Sequence, residues 1–114
     1  MRGVFYLKTL SDVNIVLDSP HKKNLEVIVC LKNISRFGEL TVNEGNQALE
    51  ILHQNQVPVH LEWDILMTET DFVHSKNIFN QVKSEFVKCV RVQDMGAYHY
   101  ILENTSCDVH LILE

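Results

Sequence analysis

The sequence predicts an α/β domain in which about five parallel strands alternate with helices. Three observations carry that prediction. Four stretches, Leu25–Lys32, Val59–Asp64, Val90–Asp94 and Val109–Glu114, alternate aliphatic with polar residues, the period-two pattern of a strand with one buried face. Segments with helix-start signals or helical spacing separate them, so the order reads β-α-β-α-β-α-β-α-β. Strand starts recur roughly 21 to 34 residues apart, as parallel βαβ units require. Right-handed crossovers between strands kept in sequential order place every helix on one side, the beginning of a (β/α) barrel of the TIM type. A doubly wound open sheet is the competing architecture, but its central strands would be apolar on both faces. Here one face stays polar on four consecutive strands, which favours a barrel lumen. A whole barrel takes about 250 residues, so residues 1–114 are expected to form a single partial barrel domain, the N-terminal half of a larger one.

The elements follow in order. Val4–Leu7 is a short apolar run and a weak first strand. Ser11 is placed to cap a short helix carrying Val13, Val16 and Leu17 and stopped near Pro20. The second strand, Leu25–Lys32, puts Leu25, Val27, Val29 and Leu31 on one face and Glu26, Cys30 and Lys32 on the other. Ile34–Leu40 is a loop. Thr41-Val42-Asn43-Glu44 fits a capping box, and the helix it opens repeats Ala48, Ile51 and Leu52 on one stripe. Pro58 opens the third strand, where its missing N–H costs least. Thr68–Asp71 starts the next helix, whose stripe is Phe72, Phe79, Val82 and Phe86. The fourth strand runs from about Val87 to Gln93. Asp94-Met95-Gly96 is a tight strand-to-helix turn into a short helix over Ala97–Asn104, with Tyr98, Ile101 and Leu102 expected inside. Val109–Leu113 is the fifth strand.

Composition narrows the function classes. The chain of 114 residues is 46% hydrophobic and 22% charged, with net charge -5, ordinary values for a globular domain. Only Lys22 and Lys23 are adjacent basic residues, which argues against a nucleic-acid site within this stretch. No apolar run approaches the ~20 residues that span a membrane, and Met1–Leu10 lacks the pattern of a secretion signal. Cys30, Cys89 and Cys107 are widely spaced with no C-x-x-C, so reduced thiols in a cytoplasm are expected. Cys30 and Cys89 read as small core residues.

Three motifs stand in series: Ile34-Ser35-Arg36-Phe37-Gly38, Leu61-Glu62-Trp63-Asp64-Ile65-Leu66-Met67, and Val90-Arg91-Val92-Gln93-Asp94-Met95-Gly96-Ala97. At this spacing the chain resembles the N-terminal half of the collagenase-like peptidase family, bacterial and archaeal barrel proteins, from about Val4 to Glu114. The resemblance implies a (β/α) barrel in the complete protein, with peptide hydrolysis as the activity. It also implies an alternative, iron–sulfur-dependent hydroxylation of RNA bases or of a quinone precursor by the full-length parent. The cluster of those members sits on four cysteines in the later half of the domain. Cys30, Cys89 and Cys107 do not match that motif, so no cofactor is assigned within this stretch. Peptide or RNA would be a substrate of the parent alone.

Active sites of such barrels lie at the carboxyl ends of the strands. There the polar face reads Lys32, Glu62, Arg91, Glu114, alternating in sign from strand to strand. Candidate catalytic residues are Glu62, Asp64, Arg91 and Asp94. Glu62 and Asp64 lie two apart on one face, where paired carboxylates can hold one proton as an acid. The alternative for Glu62 is neutralisation by Lys32 and Arg91. Asp64 is open between substrate contact and helix capping, and Asp94 is placed to cap the helix that follows it. Arg91 is one of three arginines; its fork fits a substrate carboxylate or phosphate as well as it fits Glu62 and Glu114. Candidate substrate-binding residues are Lys32, Arg36, Gln93 and Glu114. His60 and His110 share the polar face but lie below the mouth, and two histidines make no metal site. Trp63 is expected to pack against the helices. A further reading treats the stretch as a truncated, non-catalytic product that self-associates as a homo-oligomer or awaits a missing C-terminal half-barrel, because five strands leave open edges.

Overall fold

The computed structural model describes residues 3–36, 38–64 and 69–112. Strands β1 (Gly3–Leu7), β2 (Leu25–Cys30), β3 (Val59–Trp63), β4 (Cys89–Val92) and β5 (Asp108–Leu111) alternate with helices α1 (Asp12–Asp18), α2 (Val42–Gln54), α3 (Glu69–Phe79) and α4 (Met95–Asn104). Single 3₁₀ turns precede β2 (Lys22–Asn24) and β4 (Ser84–Phe86). The protein is α/β, with a five-stranded, all-parallel sheet in the order β1-β2-β3-β4-β5. No strand in that order is reversed or skipped, so the described sheet has no doubly wound switch point.

All four helices contribute to one apolar cluster with a single face of the sheet. Val27, Val29, Val59, Leu61, Trp63, Val90 and Val92 meet Val13 and Val16 of α1, Ala48, Leu49 and Leu52 of α2, Phe79 of α3, and Ala97 and Ile101 of α4. Trp63 stacks on Phe79 at 5.2 Å and on Phe72 at 6.2 Å, with Tyr100 edge-on at 6.3 Å, so the tryptophan packs against the helices as expected. The other face is graded. Edge residues Val4 and Tyr6 are 53% and 47% exposed, whereas Ile28, Cys30 and Glu62 of the central strands are at 0%, 2% and 5%. This face is therefore open at the β1 edge and covered at its centre.

Several local expectations hold for local reasons. The capping box is present, with Thr41 Oγ1 accepting from the Glu44 N–H (3.2 Å) and Glu44 Oε1 accepting from the Thr41 N–H (3.1 Å). Asp94 caps α4 by accepting from the Ala97 N–H at 3.2 Å.

Others are corrected. Ser11 makes no side-chain cap bond; the N–H groups of Asp12, Val13 and Asn14 donate to the Thr9, Leu10 and Ser11 carbonyls instead, while Asp12 Oδ2 accepts from the Lys8 and Thr9 N–H groups and fixes the turn that leads into the helix. The stripe Phe72, Phe79, Val82, Phe86 is not one helix, because α3 ends at Phe79. Asn46 of α2 fixes the exit: its amide donates to the Gln81 carbonyl (2.9 Å) and its Oδ1 accepts from the Lys83 N–H (2.9 Å). On α4, Leu102 is 52% exposed while Ala97 and Ile101 are buried, and Tyr100 turns toward Phe72 and Phe79. Leu102 therefore lies on the flank away from α3. Thr68, part of the expected helix start, lies outside the described residues.

Candidate functional site

Register decides which polar residues meet. Cys30, Glu62, Arg91 and His110 stand side by side across β2 to β5. One layer lower stand Tyr6, Ile28, His60, Cys89 and Asp108. The charge ladder expected from the sequence therefore closes differently. Glu62 and Arg91 are neighbours, but the partner of Arg91 on β5 is His110. Glu114 lies outside the described residues. Lys32 lies beyond β2, is exposed, and its N–H bonds the Leu40 carbonyl at 2.8 Å.

The loop after β2 is built by a short return. Leu31 bridges Leu40 in parallel, and Asn33 takes a positive φ of 72°, which asparagine tolerates better than most residues. The Ser35 N–H bonds the Leu31 carbonyl at 3.1 Å. This carries Arg36 over the end of β3. There the Asp64 N–H donates to the Ile34 carbonyl (3.1 Å). Asp64 Oδ1 accepts from the Arg36 N–H (2.9 Å) and Oδ2 from Arg36 Nε (3.3 Å). The Asp64 carboxylate is thus engaged by the loop, an arrangement neither substrate contact nor helix capping anticipated.

These side chains line a cleft of about 290 Å³ at the carboxyl ends of the strands. Tyr6 and Lys8 come from β1 and its exit, Cys30, Ser35 and Arg36 from β2 and its loop, and Glu62 and Asp64 from β3 and its exit. Arg91 and Gln93 come from β4 and its exit, and Ile112 follows β5. Of the residues singled out in the sequence, Glu62, Asp64, Arg91, Arg36 and Gln93 converge here. Lys32 and Asp94 do not, the first displaced by the loop and the second absorbed by its cap. Tyr6, Lys8, Cys30, Ser35 and Ile112 were not foreseen. Tyr6 and Lys8 carried a readable signal, since they continue the alternation of β1 on the polar face.

Glu62 is the most constrained group. Its side chain is 7% exposed, and Oε2 lies 3.3 Å from Arg91 Nη1. That pair is close enough for ionic attraction but not directed as a hydrogen bond, and Oε2 has no hydrogen-bond partner among the described residues. Burial pushes the Glu62 pKa up; Arg91 opposes this, and the Asp64 carboxylate adds to it. Arg91 Nη1 also donates to the Tyr6 hydroxyl at 3.5 Å, a long bond. Burial drives the Cys30 thiol up to about 11, partly offset by Ser35, so this thiol is a poor nucleophile at neutral pH. Deeper in the same face, His60 Nδ1 lies 3.3 Å from Glu26 Oε1. Burial pulls the His60 pKa down against that carboxylate. Among the described residues, no three His, Cys, Asp or Glu side chains stand together as a metal site.

A carboxyl held toward its protonated form beside a guanidinium can donate a proton to a leaving group while the cation steadies negative charge. No protein-family model, no curated protein and no solved structure matches the chain. No helix among the described residues is long and apolar enough to cross a membrane.

Proposed function

We propose that the chain supplies five strands of a (β/α) barrel of the TIM type, and that its carboxyl-end cleft belongs to the substrate site of a cytoplasmic, collagenase-like peptidase. Support for the barrel comes from sequential parallel strand order, helices on one face and a polar, enclosed opposite face. The observation that carries the enzymatic reading is Glu62, a buried carboxyl with raised pKa at the end of β3, in a cleft and next to Arg91. In peptide hydrolysis water would add to the carbonyl carbon, Glu62 would give its proton to the departing amine and regain one from that water, and Arg91 would hold the charge that develops on the carbonyl oxygen. The remaining strands would come from further polypeptide that pairs with the edges of β1 and β5.

The test is cleavage of collagen-derived peptides by the complete natural protein and by its Glu62→Gln variant, both checked for folding by circular dichroism. Hydrolysis that falls by about 100-fold or more in the variant, the scale of a lost general acid, supports the reading. Absence of hydrolysis by the natural protein contradicts the peptidase assignment. Equal rates in the two proteins contradict the role of Glu62.

A further inference from the structure

The two signs of charge in the cleft are not equally presented. On its wall three cations, Lys8, Arg36 and Arg91, face two carboxylates, Glu62 and Asp64, in a chain whose net charge is -5. The carboxylates are recessed. The Glu62 side chain is 7% exposed and that of Asp64 10%, and both Asp64 oxygens accept from Arg36. The cations stand forward. The Arg36 and Arg91 side chains are 42% and 22% exposed, and Lys8 is exposed as well. A solute entering the cleft therefore meets positive charge first, and a concave surface that presents one sign concentrates ions of the other.

The three cations reach one centre from separate elements. Lys8 follows β1, Arg36 lies on the loop after β2, and Arg91 stands on β4. The charge of Lys8 is felt at the Cys30 thiol, and those of Arg91 and Arg36 at the Glu62 carboxyl beside it on the next strand. A carboxylate has two oxygens in one plane, and a single guanidinium fork engages both. A phosphate monoester has three terminal oxygens that point in different directions and a charge of about -1.5 to -2 at pH 7, so it suits donors that converge from several sides. The Tyr6 hydroxyl, which accepts from Arg91 Nη1 at 3.5 Å, has a proton of its own to donate. A cleft of about 290 Å³ is at the small end of the range for ligand sites, which suits a small molecule. Ile112 offers its organic part an apolar wall.

We propose that the cleft binds a small phosphate monoester, its phosphate oxygens held by Lys8, Arg36 and Arg91 and its organic part against Ile112. The pairs already made stay as they are: Glu62 remains recessed beside Arg91, and Asp64 keeps Arg36 over the end of β3. The proposal goes beyond the peptidase reading and does not depend on it, because no bond is made or broken.

The test is calorimetric titration of the complete natural protein, at fixed ionic strength, with three probes: glycerol 3-phosphate, inorganic phosphate and malonate. Malonate carries two negative charges, but on planar carboxylates. Saturable binding of glycerol 3-phosphate with a Kd below about 1 mM is expected, with malonate weaker by about tenfold or more, the scale of one lost charge-assisted bond. Lys8→Gln removes a cation from an exposed position, so the fold is retained, and it should weaken glycerol 3-phosphate by a similar factor. Arg91→Gln should do the same when titrated well below its own melting temperature. Tighter binding of glycerol 3-phosphate than of inorganic phosphate supports a seat for the organic part, and the reverse overturns the assignment to a monoester. Equal affinity for malonate and glycerol 3-phosphate overturns the choice of a tetrahedral anion. The proposal also falls if glycerol 3-phosphate shows no saturable binding up to about 10 mM, a weak limit even for a ligand this small, or if Lys8→Gln and Arg91→Gln both leave its affinity unchanged.

Discussion

Replacing Asp64 by Ala and, separately, by Asn divides the two interactions through which this residue holds the loop after β2. Asp64 Oδ1 accepts from the Arg36 N–H at 2.9 Å, and Oδ2 meets Arg36 Nε at 3.3 Å. The Asp64 side chain is 10% exposed and that of Arg36 is 42%. The bond to the backbone is charge-assisted and shielded, a class that contributes about 1.5–3 kcal/mol. The ion pair reaches into water and contributes only about 0–1 kcal/mol. Asp64→Ala loses both and leaves the Arg36 N–H unpaired, so a loss of about 2–3 kcal/mol is expected. Asp64→Asn keeps an acceptor for that N–H and should cost about 1 kcal/mol. At roughly 4 °C per kcal/mol for a domain of this size, the melting temperature should fall by about 8–12 °C for Ala and about 4 °C for Asn. Thermal melts and urea titrations measure this, and hydrogen exchange at Arg36 should accelerate in the Ala variant alone. Equal losses for the two substitutions would mean that the charge, not the backbone bond, holds the loop. A loss under about 0.5 kcal/mol for Ala, the range of ordinary surface changes, would refute the stapled-loop account.

Three further outcomes follow from the same structure. Trp63→Ala should cost about 3–5 kcal/mol for a fully enclosed aromatic, whereas Trp63→Phe, which retains stacking and removes an indole N–H with no partner among the described residues, should cost clearly less; urea midpoints of both variants check the order. Because burial raises the folded-state pKa of Glu62, the folded protein binds more protons than the unfolded chain above the ordinary carboxyl pKa, and the contribution of Glu62 to stability falls as pH rises toward the folded value. Glu62→Gln should therefore melt higher than the parent at neutral pH and lose that advantage below the ordinary carboxyl range; a variant that melts lower at neutral pH would contradict the burial argument. A Cβ on Gly38 would fall on the carbonyl oxygen of Leu31, far inside contact distance, so Gly38→Ala should open the Leu31–Leu40 bridge at about 1–3 kcal/mol, seen as faster hydrogen exchange at Lys32.

Strand order and helix placement were legible because they rest on local signals. Period-two alternation identifies the buried face of β2, β3 and β4, and the Thr41–Glu44 box is complete within four residues. Asp94 announces its cap in the same way. What escaped depends on partners distant in sequence. The charge ladder assumed that Lys32 continues β2, but the register ends at Cys30 opposite Glu62, and the chain then turns back through Leu31 and Leu40. The bond between Arg36 and Asp64 spans 28 residues, so no local pattern reports it. The end of α3 is set by Asn46, 35 residues from Gln81, while the apolar spacing alone would carry the helix on to Phe86. For α4, Tyr100 and Leu102 flank Ile101 on opposite sides, and only the packing of α3 decides which of them turns inward. The site was visible as a set of charges on one face; its pairing was not.

The most direct test of the barrel account is the solution mass of the 114-residue chain by light scattering over a range of concentrations, with a thermal melt on the same samples. The sheet's outer strands, β1 and β5, each pair on one side only among the described residues, and Tyr6, Val4 and Leu102 expose apolar surface at its two ends. The account predicts a mass that grows with concentration, as unpaired edges find partners. A monomer at every concentration that melts in one cooperative transition would contradict it, since such a sheet would need no further strands.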